Sequence, residues 1–414
     1  MRVAVIVIGN EILSGETLDT NAQFLGQELS NIGAQVICKL SIPDTISEIK
    51  GALTYCFQKA DLVISTGGLG PTTDDVTKSA ISEYFNADLV FNSEVFENIT
   101  FLLKNRYKTI SDVHRQQAFI PSNGTALMNK MGTAPGILIR ENNKIFVALP
   151  GVPYEMKYIT CEHLIPYIKR HKQGDFIKQK NIKTIGLGES VIAEMIAETE
   201  HQLPEAISLA YLPSLGQVKL RLTGISKNEA ELDKDLAEVV QKIQDKLSEY
   251  IYGYGDETIS QVIGRMLREK GQTLAIAESC TGGYLSHLIT AEPGSSDYFA
   301  GAVVAYSNQI KISELNVPES IIANYGAVSH QCAEYMAKGI RDRFNTTYGL
   351  ATTGIAGPDG GSEDKPLGLV WIALSDENGS DIKKIIFDRG RIQNIQFSSI
   401  NALNILRKRI MNLK

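Results

Sequence analysis

The chain is 414 residues long, 43% hydrophobic and 21% charged, the balance of a folded globular protein with material for roughly two to four domains. Its net charge of −6 and lack of any basic block argue against direct nucleic-acid binding. The five cysteines, Cys38, Cys56, Cys161, Cys280 and Cys332, are scattered, odd in number and free of any Cys-x-x-Cys pair, which points to a reducing cytoplasmic setting rather than a disulfide framework or a zinc site. No apolar run nears the ~18 residues of a membrane span, and the chain opens directly on a strand without a signal peptide ahead of it.

Residues 3–8 are an unbroken apolar run, as in a parallel strand covered on both faces. A polar loop, 9–15, carries Asn10 and Glu11. Residues 20–32 place Phe24, Leu25, Leu29 and Ile32 at helical spacing. A strand at 35–40, a turn at Pro43-Asp44, a helix at 46–59 and a third strand at 61–65 follow. The third strand ends in Thr66-Gly67-Gly68-Leu69-Gly70-Pro71-Thr72-Thr73-Asp74-Asp75, and a helix starts near Val76. The alternation is βαβαβα, so the expected fold is a doubly wound parallel α/β sheet whose ligands bind beyond the carboxyl ends of the strands, where both polar loops lie.

Gly67, Gly68 and Gly70 can aim backbone N–H groups at a phosphate. Asp74 and Asp75 are hard oxygen donors of the kind a divalent metal takes, and Glu11 can join them. Either aspartate equally suits the cap of the next helix. The loop lacks a Walker lysine and is not G-x-G-x-x-G, so neither a P-loop nor a Rossmann dinucleotide site is supported.

A polar stretch at 170–175 marks a boundary. Beyond it, strands at 178–185 and 217–223, helices at 190–200 and 229–250, and a turn at Pro213-Ser214-Leu215-Gly216 read as a small α+β connector without a catalytic constellation. The expected domains are therefore 1–170, 171–253 and 254–414.

In the last domain a helix at 258–269 leads to an apolar strand at 273–277, then Glu278-Ser279-Cys280-Thr281-Gly282-Gly283, then a helix at 284–290. Ser279 thus sits at a strand-to-helix turn beside free backbone N–H groups, which suits attack on a carbonyl or the holding of an anion, and suits an ordinary helix cap as well. Gly294-Ser295-Ser296, a strand at 300–306 and Ser307-Asn308-Gln309-Ile310-Lys311 follow; then a helix at 331–344, a strand at 349–353, a turn-rich loop at 354–361, strands at 369–374 and 382–387, and a terminal helix at 392–411. A serine nucleophile needs a base. His287 and His330 have no carboxylate beside them in sequence, and Lys311 qualifies only if burial lowers its pKa.

These residues carry a family resemblance. Gly9-Asn10-Glu11, the 66–75 loop, Thr133-Ala134-Pro135-Gly136 and Leu149-Pro150-Gly151-Val152-Pro153 resemble the molybdopterin-binding-like domain of the CinA (competence/damage-inducible protein) family. Glu278–Gly283, Gly294-Ser295-Ser296, Tyr306-Ser307-Asn308-x-x-Lys311 and Thr353-Gly354-Ile355-Ala356-Gly357-Pro358 resemble that family's C-terminal nicotinamide mononucleotide deamidase domain. The resemblance implies Ser279 as nucleophile, Lys311 as its activating partner and Tyr306 as support. It further implies substrate contacts from Cys280, Thr281, Gly282, Gly283, Ser296, Thr353 and Gly354. Arg391 carries over as a phosphate contact, while a second family arginine position holds Gln396 here. For the first domain it implies ADP-ribose pyrophosphatase activity, with a nucleotide on Asn10, Glu11, Gly67, Gly68, Gly70 and Thr72 and a divalent metal (Mg, Mn or Co) on Asp74 and Asp75. The deamidase domain is expected to need no cofactor, and the assembly to be a homodimer. The alternative is a first domain that only binds a pterin or nucleotide, in a competence-related accessory protein.

Overall fold

The apolar runs near the amino terminus form the middle of a six-stranded sheet. The computed structural model describes residues 1–70, 72, 75–104, 112–171 and 175–413, and these divide into two units, 1–179 with 224–232 and 180–223 with 233–414.

In the first unit the strands are β1 (Arg2–Ile8), β2 (Gln35–Ile42), β3 (Leu62–Thr66), a separate ribbon of β4 (Leu89–Phe91) and β5 (Phe119–Pro121), then β6 (Gly124–Leu127), β7 (Gly136–Glu141) and β8 (Lys144–Leu149). The sheet order is β2-β1-β3-β8-β7-β6. β2, β1, β3 and β8 run parallel, and β7 and β6 complete the sheet antiparallel. The period of two in β1 splits its side chains between two cores. Val3, Val5 and Val7 pack with Ala22, Leu25 and Leu29, whereas Ala4, Ile6 and Ile8 pack with Ile49, Leu53 and Cys56. Each fully buried Val or Ile contributes about 1.5–3 kcal/mol, which is why an uninterrupted apolar run selects the centre of the sheet. Asp19 caps helix Thr20–Asn31 through the Ala22 N–H, and Thr45 caps helix Ile46–Phe57 through the Glu48 N–H.

Two more sheets belong to the second unit apart from residues 176–179 and 224–226. β9 (Phe176–Ile185), β10 (Ile207–Ser214), β11 (Gln217–Ser226) and β12 (Ile251–Tyr254) form one, in the order β10-β11-β9-β12. β13 (Leu274–Glu278), β14 (Phe299–Val304), β15 (Tyr348–Gly354), β16 (Leu369–Asp376) and β17 (Gly379–Ile386) form the other, in the order β14-β13-β15-β16-β17. β13 is parallel to both β14 and β15, and β16 and β17 are antiparallel additions. On one face Ala275 and Ala277 meet Ala333, Met336 and Ile340 of helix His330–Phe344. On the other, Leu274 and Ile276 share a core with Ile263 and Leu267 of helix Ile259–Lys270 and Leu403 and Leu406 of helix Arg391–Ile410. Ile185 and Tyr252 of the smaller sheet belong to this same core. Arg407 is fully buried and donates to the carbonyls of Glu249 (2.6 Å) and Ile251 (3.1 Å), tying the terminal helix to the entry of β12. Among the described residues no helix is long and apolar enough to cross a membrane.

Candidate functional site

β13 ends at Glu278 and helix Tyr284–Thr290 starts six residues later, so the turn between them stands at the carboxyl end of the parallel strands. Ser279 is held there by its N–H, which donates to the Thr352 carbonyl at 2.9 Å. Its neighbour strand β14 also ends at this edge, and the chain then enters helix Asn308–Leu315, capped by Ser307. One turn into that helix, Lys311 points back under the sheet edge. Its Nζ lies 3.0 Å from Ser279 Oγ, 2.7 Å from the Ala305 carbonyl and 3.4 Å from that of Tyr306. Lys311 is only 1% exposed and burial lowers its pKa below the usual lysine value. A neutral amine here can give its N–H groups to the two carbonyls and keep its lone pair for the serine hydroxyl.

Cys280, the neighbour of the serine, is buried, and burial pushes its thiol up to about 12. It is a thiol, not a thiolate, at neutral pH, so it lacks the activation of a catalytic cysteine. A cavity of about 280 Å³ opens over the pair, lined among others by Tyr306, Asn308, Thr353 and Arg391. Cys280 and Gly354 line it too. Arg391 donates to the Gly357 carbonyl (2.8 Å) and to Tyr306 Oη (3.0 Å), so it and Tyr306 stand together at the cavity's rim. Thr353 donates to the Ala327 carbonyl at 2.8 Å.

Three expectations need correction. Gly282 and Gly283 do not face the cavity with free N–H groups. Gly282 donates to the Ser279 carbonyl and Gly283 to Glu278, and positive φ angles of 60° and 99° shape that closed turn. Thr281 turns inward, its hydroxyl 2.7 Å from that of Thr352. Among the described residues the N–H groups of Cys280 and Thr281 make no backbone hydrogen bond, and that of Gly283 goes to the Glu278 side chain. Ser296 is exposed and lies just ahead of β14, at the amino end of a strand whose carboxyl end carries the site. A whole strand length therefore separates it from Ser279. The residue that sequence reasoning missed is Glu278. It is fully buried and accepts from the N–H groups of Gly283 (3.0 Å), Leu285 (3.1 Å) and Ser286 (2.8 Å) as well as the Ser286 hydroxyl. A buried acid directly before a small-residue turn and a short helix is the signal that could have found it.

In the first unit a second cavity, of about 340 Å³, lies at the carboxyl ends of β1, β3 and β8. Gly67, Gly68 and Gly70 line it, as do Glu11 and Asp75. Gly67 (φ 115°) passes so close to the Ile8 carbonyl, and Gly68 (φ 63°) to the Thr77 hydroxyl, that no side chain fits at either. Asn10 is not part of the lining; its N–H donates to Asp44 Oδ2 at 3.2 Å. Thr72 gives its N–H (2.9 Å) and hydroxyl to Asp75 Oδ2, which makes Asp75 a local turn acceptor on that oxygen. Asp74 lies outside the described residues. Among the described residues no three acidic, histidine or cysteine side chains converge to hold a metal ion. Asp44, Gln117 and Glu155 line the cavity unforeseen. Glu155 is buried, which raises its pKa, and accepts from Asn129 Nδ2 at 2.6 Å.

Comparison with known proteins places both cavities. Residues 4–170 match the probable molybdopterin binding domain, 179–253 the damage-inducible protein CinA KH domain and 256–410 the CinA C-terminal domain. A CinA-like protein of Cytophaga hutchinsonii is 41% identical over 99% of this chain and 98% of its own length. The chain belongs to the CinA family. Another CinA-like protein, of Flavobacterium psychrophilum, is 40% identical over 99% of both chains. A solved structure of the protein CinA, of unknown function, from Thermoplasma acidophilum is 34% identical and covers 41% of this chain and 96% of its own, with a TM-score of 0.37. Within the CinA framework the Ser279 cavity falls in the C-terminal domain and the glycine-lined cavity in the molybdopterin-binding domain.

Proposed function

We propose that the C-terminal domain is an amidohydrolase that converts nicotinamide mononucleotide to nicotinic acid mononucleotide and ammonia. The observation that carries this reading is the 3.0 Å contact between Ser279 Oγ and the buried Lys311 Nζ. Neutral Lys311 takes the hydroxyl proton as Ser279 Oγ attacks the carboxamide carbon. The N–H groups of Cys280 and Thr281 are the donors available to the oxyanion. The tetrahedral intermediate collapses as the Lys311 ammonium gives its proton to the departing nitrogen, releasing ammonia and leaving an acyl ester on Ser279. Water, deprotonated by the amine so regenerated, hydrolyses the ester to the carboxylate. Arg391 at the rim is the cation for the substrate phosphate. The test is ammonia release from nicotinamide mononucleotide by the full chain, with stoichiometric acid product. No release above that of Ser279→Ala would sink the assignment.

For the first domain, the glycine loop and its position beyond the strands support a site for a nucleotide diphosphate such as ADP-ribose, hydrolysed with a divalent metal. The described acidic groups do not by themselves form a metal centre, and no step is derived through one. A second reading is that this cavity only binds its nucleotide. ADP-ribose turnover with and without added Mg²⁺, beside equilibrium binding of ADP-ribose, separates the two.

A further inference from the structure

One face of the smaller sheet in the second unit carries an unexplained set of cations. Along β11 Val218, Leu220 and Leu222 are buried, and the alternate residues Gln217, Lys219 and Arg221 are half-buried on the opposite face. Asn181 and Lys183 alternate in the same way with buried Ile182 and Thr184 on the neighbouring β9. A cavity of about 290 Å³ lies over this face, lined by Lys183, Gln217, Lys219, Ser214 and Tyr252 among others.

The cations are poorly matched by acids. Lys183 donates to the Glu257 carbonyl at 2.9 Å, while the Glu257 carboxylate is engaged by Arg265. Asp256 is the acid whose charge reaches both lysines. Lys219 and Arg221 make no side-chain ion pair or hydrogen bond among the described residues, and Arg221 Nε is buried without any acceptor. Asn181 Oδ1 is likewise buried and unpartnered; because amide oxygen and nitrogen interchange by a flip, this group can equally present N–H. Burial lowers the pKa of both lysines, helped by Lys219 at Lys183 and by Arg221 at Lys219. In a chain of net charge −6, such mutually repelling, half-desolvated cations weaken the fold unless something supplies the missing acceptors.

We infer that this face is a binding site for a pyrophosphate group, as carried by a nucleoside diphosphate. Three cations match its charge. Lys183 and Lys219, which line the cavity, take the phosphoryl groups as point charges, and Arg221 adds its charge from farther along the same face of β11. The cavity admits a diphosphate and excludes a duplex. An adjoining cavity of about 520 Å³ shares Ser214 and Gln217 and reaches Phe397, whose ring gives the nucleoside end an apolar wall.

The test reads the site locally, so that other phosphate-binding cavities do not confuse it. The full chain is acylated with a lysine-directed reagent, with and without inorganic pyrophosphate or ADP, and modification of Lys183 and Lys219 is followed by mass spectrometry. Both anions should slow it several-fold in the wild type. In Lys219→Gln the concentration needed to protect Lys183 should rise about ten- to a hundredfold, the loss expected for a charge-assisted hydrogen bond. Lys219→Gln with Arg221→Gln should melt at the wild-type temperature or above it, since repulsion is relieved. Absence of protection at millimolar pyrophosphate overturns the assignment. So does protection by oligothymidylate but not ADP, which would make the ligand a nucleic acid. A lower melting temperature for the double variant overturns it too, because the cations would then be structural.

Discussion

Replacing Glu278 by glutamine keeps the shape of the side chain and removes its charge. In the wild type one carboxylate oxygen takes the Ser286 N–H and hydroxyl, and the other takes the N–H groups of Gly283 and Leu285. The amide retains a single oxygen. Its best placement keeps the Gly283 and Leu285 pair and turns the NH₂ group toward Ser286. The Ser286 hydroxyl can rotate to accept, but its N–H then faces another donor. One orphaned buried N–H costs about 1–3 kcal/mol, and losing a negative charge at a helix N-terminus costs about 0.3–2 kcal/mol more. The expected destabilisation is therefore about 1–5 kcal/mol. The chain has one tryptophan, Trp371, on β16 of the same sheet, so its fluorescence in urea follows this domain. Ser279 is the next residue after Glu278, and a reacting group misplaced by about 1 Å loses about 10²-fold in rate. We expect kcat for ammonia release to fall about 10- to 100-fold with KM little changed. A Glu278→Gln protein with the wild-type urea midpoint and kcat would show that the carboxylate does not hold the turn.

Ser279→Ala should lower deamidation by about 10⁴–10⁶-fold, whereas Cys280→Ala, which removes a thiol held at about 12, should stay within a few-fold of wild type; the reverse pattern in side-by-side assays would transfer the nucleophile to Cys280. For Lys311 the rate should rise with pH along a limb below the ordinary lysine value, and both Lys311→Met and Lys311→Arg should lose about 10²–10⁴-fold. An active Lys311→Arg with the wild-type limb would remove Lys311 as base. The same burial has a thermodynamic consequence. The unfolded chain holds this proton more tightly, so stability contributed at Lys311 should rise with pH from its lowered folded value up to about 10.5, and Lys311→Met should flatten that rise in pH-dependent urea melts. Asp75→Asn and EDTA should impair any ADP-ribose hydrolysis and leave deamidation intact, because the two cavities lie in separate units; equal loss of both activities would contradict independence.

Much of this was readable from residues because it depends on local pattern. The apolar run at 3–8 read as a strand covered on both faces, strands at 35–40 and 61–65 followed it, and their parallel order put the polar loops at one edge, although β2 proves to be a half-exposed edge strand. Ser279 was visible as a small polar residue between a buried strand and a helix. That Lys311 reaches it depended on the helix Asn308–Leu315 folding under the sheet edge, and family resemblance rather than spacing suggested it. Ser296 went astray because nearness in sequence to the motif hides which end of a strand a residue occupies. Free glycine N–H groups were expected at Gly282 and Gly283 because no pattern announces that an acid one residue before the serine folds forward to occupy one of them. The antiparallel β6 and β7 follow from pairing, which periodicity does not encode.

The clasp made by Arg407 bears on how this protein can be divided by gene truncation or by an engineer's scissors. A cut at residue 254 deletes the carbonyls of Glu249 and Ile251 and strips Ile185 and Tyr252 from the common core. The fragment inherits a guanidinium built for a dry interior with its acceptors gone, and a fresh apolar scar beside it. The portable piece is thus the pair of sheets, not the last one by itself. A cassette that carries residues 176–414 keeps β9 and β11 whole and the clasp closed, and so gives the fairer sample of the Ser279 cavity outside its parent chain.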